Sequence, residues 1–160
     1  MKYLLKHITI TVFAFISLNS YAQKDDFKGY RIEGDTIVFS FDRNDYAKAT
    51  HDFDGDKYDF DDFDIENVVV SGEFNNWSKN KWYMTKVGVD RYELKKNIHD
   101  FTDEFSWEFK FVINNSFWAE PSKKDGNIAK ATKGGKKLRG VYNLKMYLAH
   151  PNEKGNAHVK

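Results

Sequence analysis

The sequence predicts an all-β fold, a two-sheet β-sandwich of about seven strands. β-Branched and aromatic residues recur at every second position between short turn clusters, which is typical of half-buried strands. Helical periodicity is almost absent from the chain. About seven such segments within roughly 120 residues favour two packed antiparallel sheets.

Residues 1–22 are predicted to be a cleaved signal peptide. Lys2 and Lys6 give a short positive start, Ile8–Leu18 is an uncharged and mostly apolar run, and Ser20 and Ala22 provide small side chains for a signal peptidase. The apolar run would rise about 16 Å as a helix, against a hydrocarbon core of about 30 Å. We therefore expect a secreted or periplasmic protein with no membrane span in the mature chain.

The sandwich domain is expected over residues 23–148. Its predicted strands lie at Tyr30–Ile32, Thr36–Phe41, Val68–Phe74, Trp82–Met84, around Tyr92 and Leu94, Phe105–Ile113 and Leu138–Leu148. Two stretches break the alternation and are predicted to be loops: an acidic insertion at 42–64 and a Lys- and Gly-rich stretch at 122–137. Residues 149–160 are expected to form a disordered tail.

Strand periodicity also predicts which side chains face away from the core. If Trp107, Phe109, Phe111 and Ile113 point inward, then Lys110 points outward with Glu108 and Val112. In the last strand, inward Tyr142 and Leu144 place Asn143 on the outside. Lys110 and Asn143 are therefore expected on polar surfaces suited to hydrogen bonding a sugar's hydroxyl groups.

Composition excludes several classes of function. Lys and Arg total 25 against 24 Asp and Glu, and this near-balance argues against a nucleic-acid-binding chain. The absence of cysteine removes disulfides and thiolate zinc sites. No nucleophile elbow, histidine-based zinc motif or phosphate loop is present, so the sequence does not indicate an enzyme.

The acidic insertion suggests one alternative, a calcium loop. Asp52, Asp54, Asp56 and Asp59 would offer carboxylates on a flexible segment. The segment lacks the glycine after the third aspartate and the later glutamate of a helix-loop-helix calcium site. A solvated acidic loop with no metal or cofactor is the favoured interpretation.

Two Asn-rich turns provide the most specific pattern in the chain. Val68–Gly72 leads into Glu73-Phe74-Asn75-Asn76-Trp77, and Phe109–Ile113 leads into Asn114-Asn115-Ser116-Phe117-Trp118. Each strand thus ends in a turn that presents an indole. Flat aromatic rings held at strand ends can stack on the apolar face of a pyranose ring at small cost in side-chain entropy.

Residues 66–148 resemble carbohydrate-binding module family 48, and in particular the glycogen-binding domain of the AMP-activated protein kinase β subunit. The resemblance is carried by Val70–Ser78, Met84, Tyr92-Glu93-Leu94, Phe109–Val112, Trp118, Pro121 and Gly140–Asn143. It implies an immunoglobulin-like, early-set sandwich in which Trp77 and Trp118 stack on the sugar while Lys110 and Asn143 contact its hydroxyls. One residue more than the family pattern separates Lys110 from Trp118, so Phe117 is the alternative to Trp118 as the second stacking ring.

The resemblance predicts a non-catalytic module that binds an α-glucan such as glycogen or starch. Early-set sandwiches also serve as docking domains, so a protein–protein interaction module without sugar binding is the alternative. In that case the basic stretch Lys123–Arg139 and the exposed aromatic residues would form the partner surface. Convergence of the two indoles and Lys110 on one open patch would favour the sugar.

Overall fold

The computed structural model describes residues 27–51, 55–62, 64–101 and 106–148. These residues form two antiparallel sheets with short 3-10 turns and contain no α-helix. The predicted all-β sandwich is confirmed. The predicted signal peptide (1–22) and tail (149–160) lie outside the described residues.

Eleven strands are present in the described part of the chain. They are β1 Tyr30–Glu33, β2 Thr36–Asp42, β3 Lys48–Thr50, β4 Lys57–Asp59, β5 Val68–Gly72, β6 Thr85–Gly88, β7 Arg91–Asn97, β8 Ser106–Ile113, β9 Phe117–Glu120, β10 Ile128–Lys133 and β11 Lys136–Tyr147. The four-stranded sheet has the order β1-β2-β7-β6. The seven-stranded sheet has the order β10-β11-β8-β9-β3-β4, with β5 also paired to β8.

Strand β8 organises the seven-stranded sheet. β5 pairs along one edge of β8, from Phe109 to Ile113. On the other edge β11 pairs with Ser106–Phe109 and β9 pairs with Val112 and Ile113. Side chains from β5, β9 and β11 therefore meet around the middle of β8.

The core lies between the sheets and is mainly aromatic. Phe39 and Phe41 of β2 are fully buried, and their rings lie 5.3 Å and 5.4 Å from those of Phe109 and Phe111 of β8. The strict alternation that the sequence shows in both strands delivers these rings to one face of each sheet. β8 therefore turns Glu108, Lys110 and Val112 to the opposite face.

The sequence analysis missed strands in both stretches that it predicted to be loops. The acidic insertion contains β3 and β4, and the Lys- and Gly-rich stretch contains β10. β3 and β4 are short, and β10 has only one large apolar side chain, so no apolar alternation marks them. β3 is held by pairing with β9, and β10 by pairing with β11. In contrast, Trp82–Met84 contributes only an isolated bridge between Val69 and Tyr83, and Phe74 lies in a 3-10 turn beyond β5.

Candidate functional site

The candidate site lies on the face of the seven-stranded sheet that points away from the core, here called the outer face. Strand register places a continuous row across it: Tyr83 opposite Val69, Val69 opposite Val112, Val112 opposite Trp118, and Trp118 opposite Thr50. Val69, Val112 and Trp118 form a small apolar cluster of their own, and Trp77 packs against it. The outer face therefore has an apolar floor beneath Trp77.

The turn after β5 positions Trp77. The Asn75 side chain accepts a hydrogen bond from the Gly72 N–H at 2.9 Å and donates to the Val70 carbonyl at 2.8 Å. Asn76 and Trp77 then adopt left-handed backbone conformations, with φ of 54° and 55°. Asparagine tolerates this region better than most residues, so the Asn-Asn pair reverses the chain and returns the indole over the sheet.

The turn after β8 determines which of Phe117 and Trp118 reaches the outer face. Asn114 and Asn115 are left-handed, and the Ser116 N–H donates to the Ile113 carbonyl at 3.0 Å. Ile113 consequently faces Phe117, and Val112 faces Trp118.

This register separates the two stacking candidates. Phe117 packs on the main core side, edge-on to Tyr58 and His51 at 5.6 Å and 5.5 Å between ring centroids. Trp118 shares the outer face with Trp77.

The two indoles meet but differ in accessibility. Their ring centroids lie 6.2 Å apart with an interplanar angle of 61°. Trp77 is half-buried, whereas Trp118 is only 5% exposed. The Lys79 ammonium lies 5.0 Å from the Trp118 ring and donates to the Ser116 carbonyl at 3.3 Å. Trp118 is therefore a buried residue that packs against Trp77, and Trp77 is the indole whose surface is available to a ligand.

Tyr83 is a further aromatic residue on the outer face, which sequence reasoning did not single out. It is 47% exposed, and its hydroxyl accepts a hydrogen bond from the Asn115 amide at 2.6 Å. The sequence could have predicted this position. Trp82 packs against the core, and in an extended segment the next residue, Tyr83, must face the opposite side.

Lys110 faces outward as the sequence predicted, but the expectation that it lies in solvent was wrong. Its side chain is fully buried and forms an ion pair and hydrogen bond with Glu120 Oε1. The Thr50 hydroxyl donates to the same oxygen at 3.3 Å. Burial lowers the pKa of Lys110, and the Glu120 charge opposes that shift. The ammonium therefore holds β8 to β9 inside the protein.

Asn143 is likewise an internal residue. It is 2% exposed, and its amide donates to Glu108 Oε2 at 2.8 Å. Among the described residues, Asn143 Oδ1, Ser71 Oγ and Glu120 Oε2 are buried oxygens without a hydrogen-bond partner. All three belong to strands that flank Lys110. The sequence missed Glu120 because β9 was not predicted as a strand, although it lies two positions after Trp118.

Within the described ranges no three His, Cys, Asp or Glu side chains are grouped to hold a metal ion. Two of the aspartates considered for calcium, Asp52 and Asp54, lie outside those ranges. The same ranges contain no helix with the length and apolar character needed to cross a bilayer.

Comparison with known proteins does not assign a family. No protein-family model matches the chain, and no curated protein is significantly similar to it.

Proposed function

We propose that the protein is an exported, non-catalytic carbohydrate-binding module that binds an α-glucan on the outer face, centred on Trp77. The observation that supports this most is the meeting of two indoles from separate Asn-rich turns on one sheet face. The choice of an α-glucan, and an immunoglobulin-like early-set arrangement of the sandwich, come from the family resemblance and are part of the proposal.

The outer face offers a platform of the right chemistry. Trp77 is seated on Val69 and Val112, so its position is fixed before a ligand arrives. Tyr83 offers a second exposed ring, Asn115 lies beside that ring, and Lys79 lies over Trp118, so both provide hydrogen-bond donors on this face. Each stacked aromatic contributes on the order of 1 kcal/mol beyond burial of its area, so we expect micromolar to millimolar affinity.

The buried residues have revised roles in this proposal. Trp118 supports Trp77, while Lys110 holds β9 to β8 through Glu120 and Asn143 holds β11 to β8 through Glu108. Phe117 belongs to the core side of β9 and takes no part in stacking.

Isothermal titration with maltoheptaose tests the proposal. We expect saturable binding that Trp77→Ala abolishes, because the sugar loses its stacking surface. Tyr58→Ala, which removes an exposed ring on the opposite sheet face, and Lys136→Ala, which removes an exposed charge, should leave affinity unchanged. Binding that survives Trp77→Ala would overturn the assignment of this platform.

A protein-docking module is the second candidate, and the burial of Trp118, Lys110 and Asn143 favours it. These residues leave a smaller open aromatic patch than the family pattern implies. The absence of heat with any α- or β-glucan would put this candidate first.

Export is tested separately by intact mass, since cleavage after Ala22 gives a mature chain that begins at Gln23.

A further inference from the structure

A cavity of about 560 Å³ lies beside the buried Lys110–Glu120 pair. The segment before β3, the β3–β4 hairpin, the segment after β9 and the middle of β11 at Gly140 form its walls. Its lining includes Asp45, Lys48, Lys57, Glu120, Lys123 and Tyr142. None of its lining residues belongs to the aromatic platform that Trp77 and Tyr83 form on the outer face. Its volume falls in the range typical of small-molecule sites, about 300–1,000 Å³.

Glu120 supplies the first indication of what the cavity accepts. Its side chain is 5% exposed, and Oε2 has no hydrogen-bond partner among the described residues, whereas Oε1 holds Lys110 and Thr50. A buried carboxylate oxygen without a hydrogen-bond donor is energetically unfavourable. A ligand hydroxyl that donates to Oε2 would recover that cost.

Positive charge at the cavity supplies the second indication. Three of the lining charges are already compensated: Lys48 pairs with Asp59 at 2.6 Å, Asp45 with Lys28 at 2.7 Å, and Glu120 with Lys110. Lys57 and Lys123 are exposed and have no carboxylate partner within the described parts of the chain.

The basic character continues along the wall that β11 contributes. Residues 126–148 hold six Lys or Arg and no Asp or Glu. Lys130, Lys136, Lys137 and Arg139 of the β10–β11 hairpin are exposed, and Arg139 directly precedes Gly140 at the cavity. The local potential therefore attracts an anion.

We propose that this cavity is a second carbohydrate site, which binds an acidic sugar: a sugar unit that carries a carboxylate, sulfate or phosphate group. A hydroxyl of the sugar donates to Glu120 Oε2, and the anionic group pairs with Lys57 and Lys123. The half-buried ring of Tyr142 forms part of the wall against the pyranose. The proposal is independent of α-glucan binding at Trp77.

Lys57 also connects two walls of the cavity. Its ammonium donates to the Gly140 carbonyl at 3.3 Å and so bridges two of the walls. Glu120 Oε2 is closed to solvent in this state. Binding at Oε2 therefore requires a local opening of the cavity wall, and the exposed Lys57 side chain is able to leave Gly140 and pair with the ligand anion.

Titration of the full chain with methyl glucuronide and with methyl glucoside tests the proposal, because the two probes differ mainly in one carboxylate. We expect the glucuronide to bind at least about tenfold more tightly at low salt, and added salt to weaken it. The double variant Lys57→Gln/Lys123→Gln should reduce glucuronide affinity to that of the glucoside. The matched control Lys81→Gln/Lys95→Gln removes two exposed charges elsewhere and should change nothing.

Three outcomes would overturn the acidic-sugar site, the third of which is tested with sulfate. One is equal affinity, or no measurable affinity, for the two methyl glycosides; another is glucuronide binding that persists in Lys57→Gln/Lys123→Gln. Sulfate alone is titrated in parallel, and sulfate that binds as tightly as the glucuronide would show an anion site without sugar recognition. Maltoheptaose binding in the same double variant reports on Trp77 alone, so failure of either proposal is distinguishable from failure of the other.

Discussion

Lys110 shows how one residue can match a sugar-contact motif and still have a structural role. It occupies the outward position that strand alternation requires, yet Glu120 of β9 meets its ammonium and both side chains are buried. A buried charge is stable only when it is paired, so the two residues depend on one another. The outer face therefore owes its shape to an ion pair that sequence spacing alone did not reveal.

Removing one member of this pair separates the structural role from sugar contact. Lys110→Met should lower the free energy of unfolding by about 3–5 kcal/mol in urea titrations, because Glu120 is left buried without its countercharge. Lys110→Met/Glu120→Leu should recover most of that loss. A normal free energy of unfolding for Lys110→Met, together with lost glucan binding, would show instead that Lys110 contacts the ligand directly.

At the scale of secondary-structure elements, the turn after β5 depends on Gly72. Its backbone is extended, so conformational freedom is not the reason for glycine; space is. A Cβ at this position would lie 2.7 Å from the Glu108 carbonyl oxygen and 2.8 Å from Phe109 Cβ, where β5 and β8 approach one another. The same turn carries Trp77, so this close approach also fixes the platform.

Gly72→Ala should therefore destabilise the protein and disturb the platform. We expect a loss of about 3 kcal/mol in the free energy of unfolding, since backbone of β8 must move. Gly88→Ala is the matched control, because its Cβ would meet only the flexible Arg91 side chain at 3.1 Å, and we expect a change within about 0.5 kcal/mol. Equal stability of the two variants would contradict the close-approach argument.

Elements with their own apolar alternation were predictable from sequence, and elements held by neighbours were not. β2 and β8 each present alternating aromatic residues, so their position and inward face follow from the residues alone. β3 and β4 contain three residues each, and β10 carries Lys or Thr at three of its six positions with only one large apolar side chain, so their pairing partners define them. Gly134-Gly135 between β10 and β11, both at positive φ, was a readable hairpin signal.

The sequence predicted which candidate residues share a sheet face, but it did not predict which of them are exposed. Alternation correctly placed Lys110 opposite the core. Burial depends on β9 and β11 meeting on the same edge of β8, which no local pattern encodes. Trp118 and Asn143 are buried for the same reason, whereas Trp77 remains accessible because its turn projects beyond the end of β5.

At the scale of the whole molecule, two tyrosines lie in the core between the sheets. Tyr30 packs edge-on to Phe109 with centroids 6.2 Å apart, and Tyr46 stacks on Phe41 at 5.2 Å. Burial raises the pKa of Tyr30 to about 12, partly opposed by the hydrogen bond from the Tyr147 N–H, and raises the pKa of Tyr46 well above its usual 10.0. Ionisation of either residue is therefore less favourable in the folded protein than in the unfolded chain.

The direction of this coupling gives a prediction about alkaline stability. Above pH 10 the unfolded tyrosines lose protons that the folded ones retain, so the tyrosine contribution is fully present below pH 10 and falls as pH rises toward 12. For Tyr30 the loss by pH 12 is about 2–3 kcal/mol. Lys110, whose pKa is lowered, acts in the opposite sense, so the readout is the difference between variants and the parent protein in urea titrations.

Two phenylalanine variants separate ionisation from hydrogen bonding. The Tyr46 hydroxyl has no hydrogen-bond partner among the described residues, so Tyr46→Phe should raise the free energy of unfolding at neutral pH by up to about 1 kcal/mol. Tyr30→Phe should lower it by a similar amount, because the Tyr147 N–H loses its acceptor at 3.1 Å. Both variants should nevertheless lose stability less steeply than the parent above pH 10. A Tyr46→Phe variant with the parent's alkaline slope would mean that Tyr46 ionises in the folded protein, and that the sandwich admits water to the centre of its core.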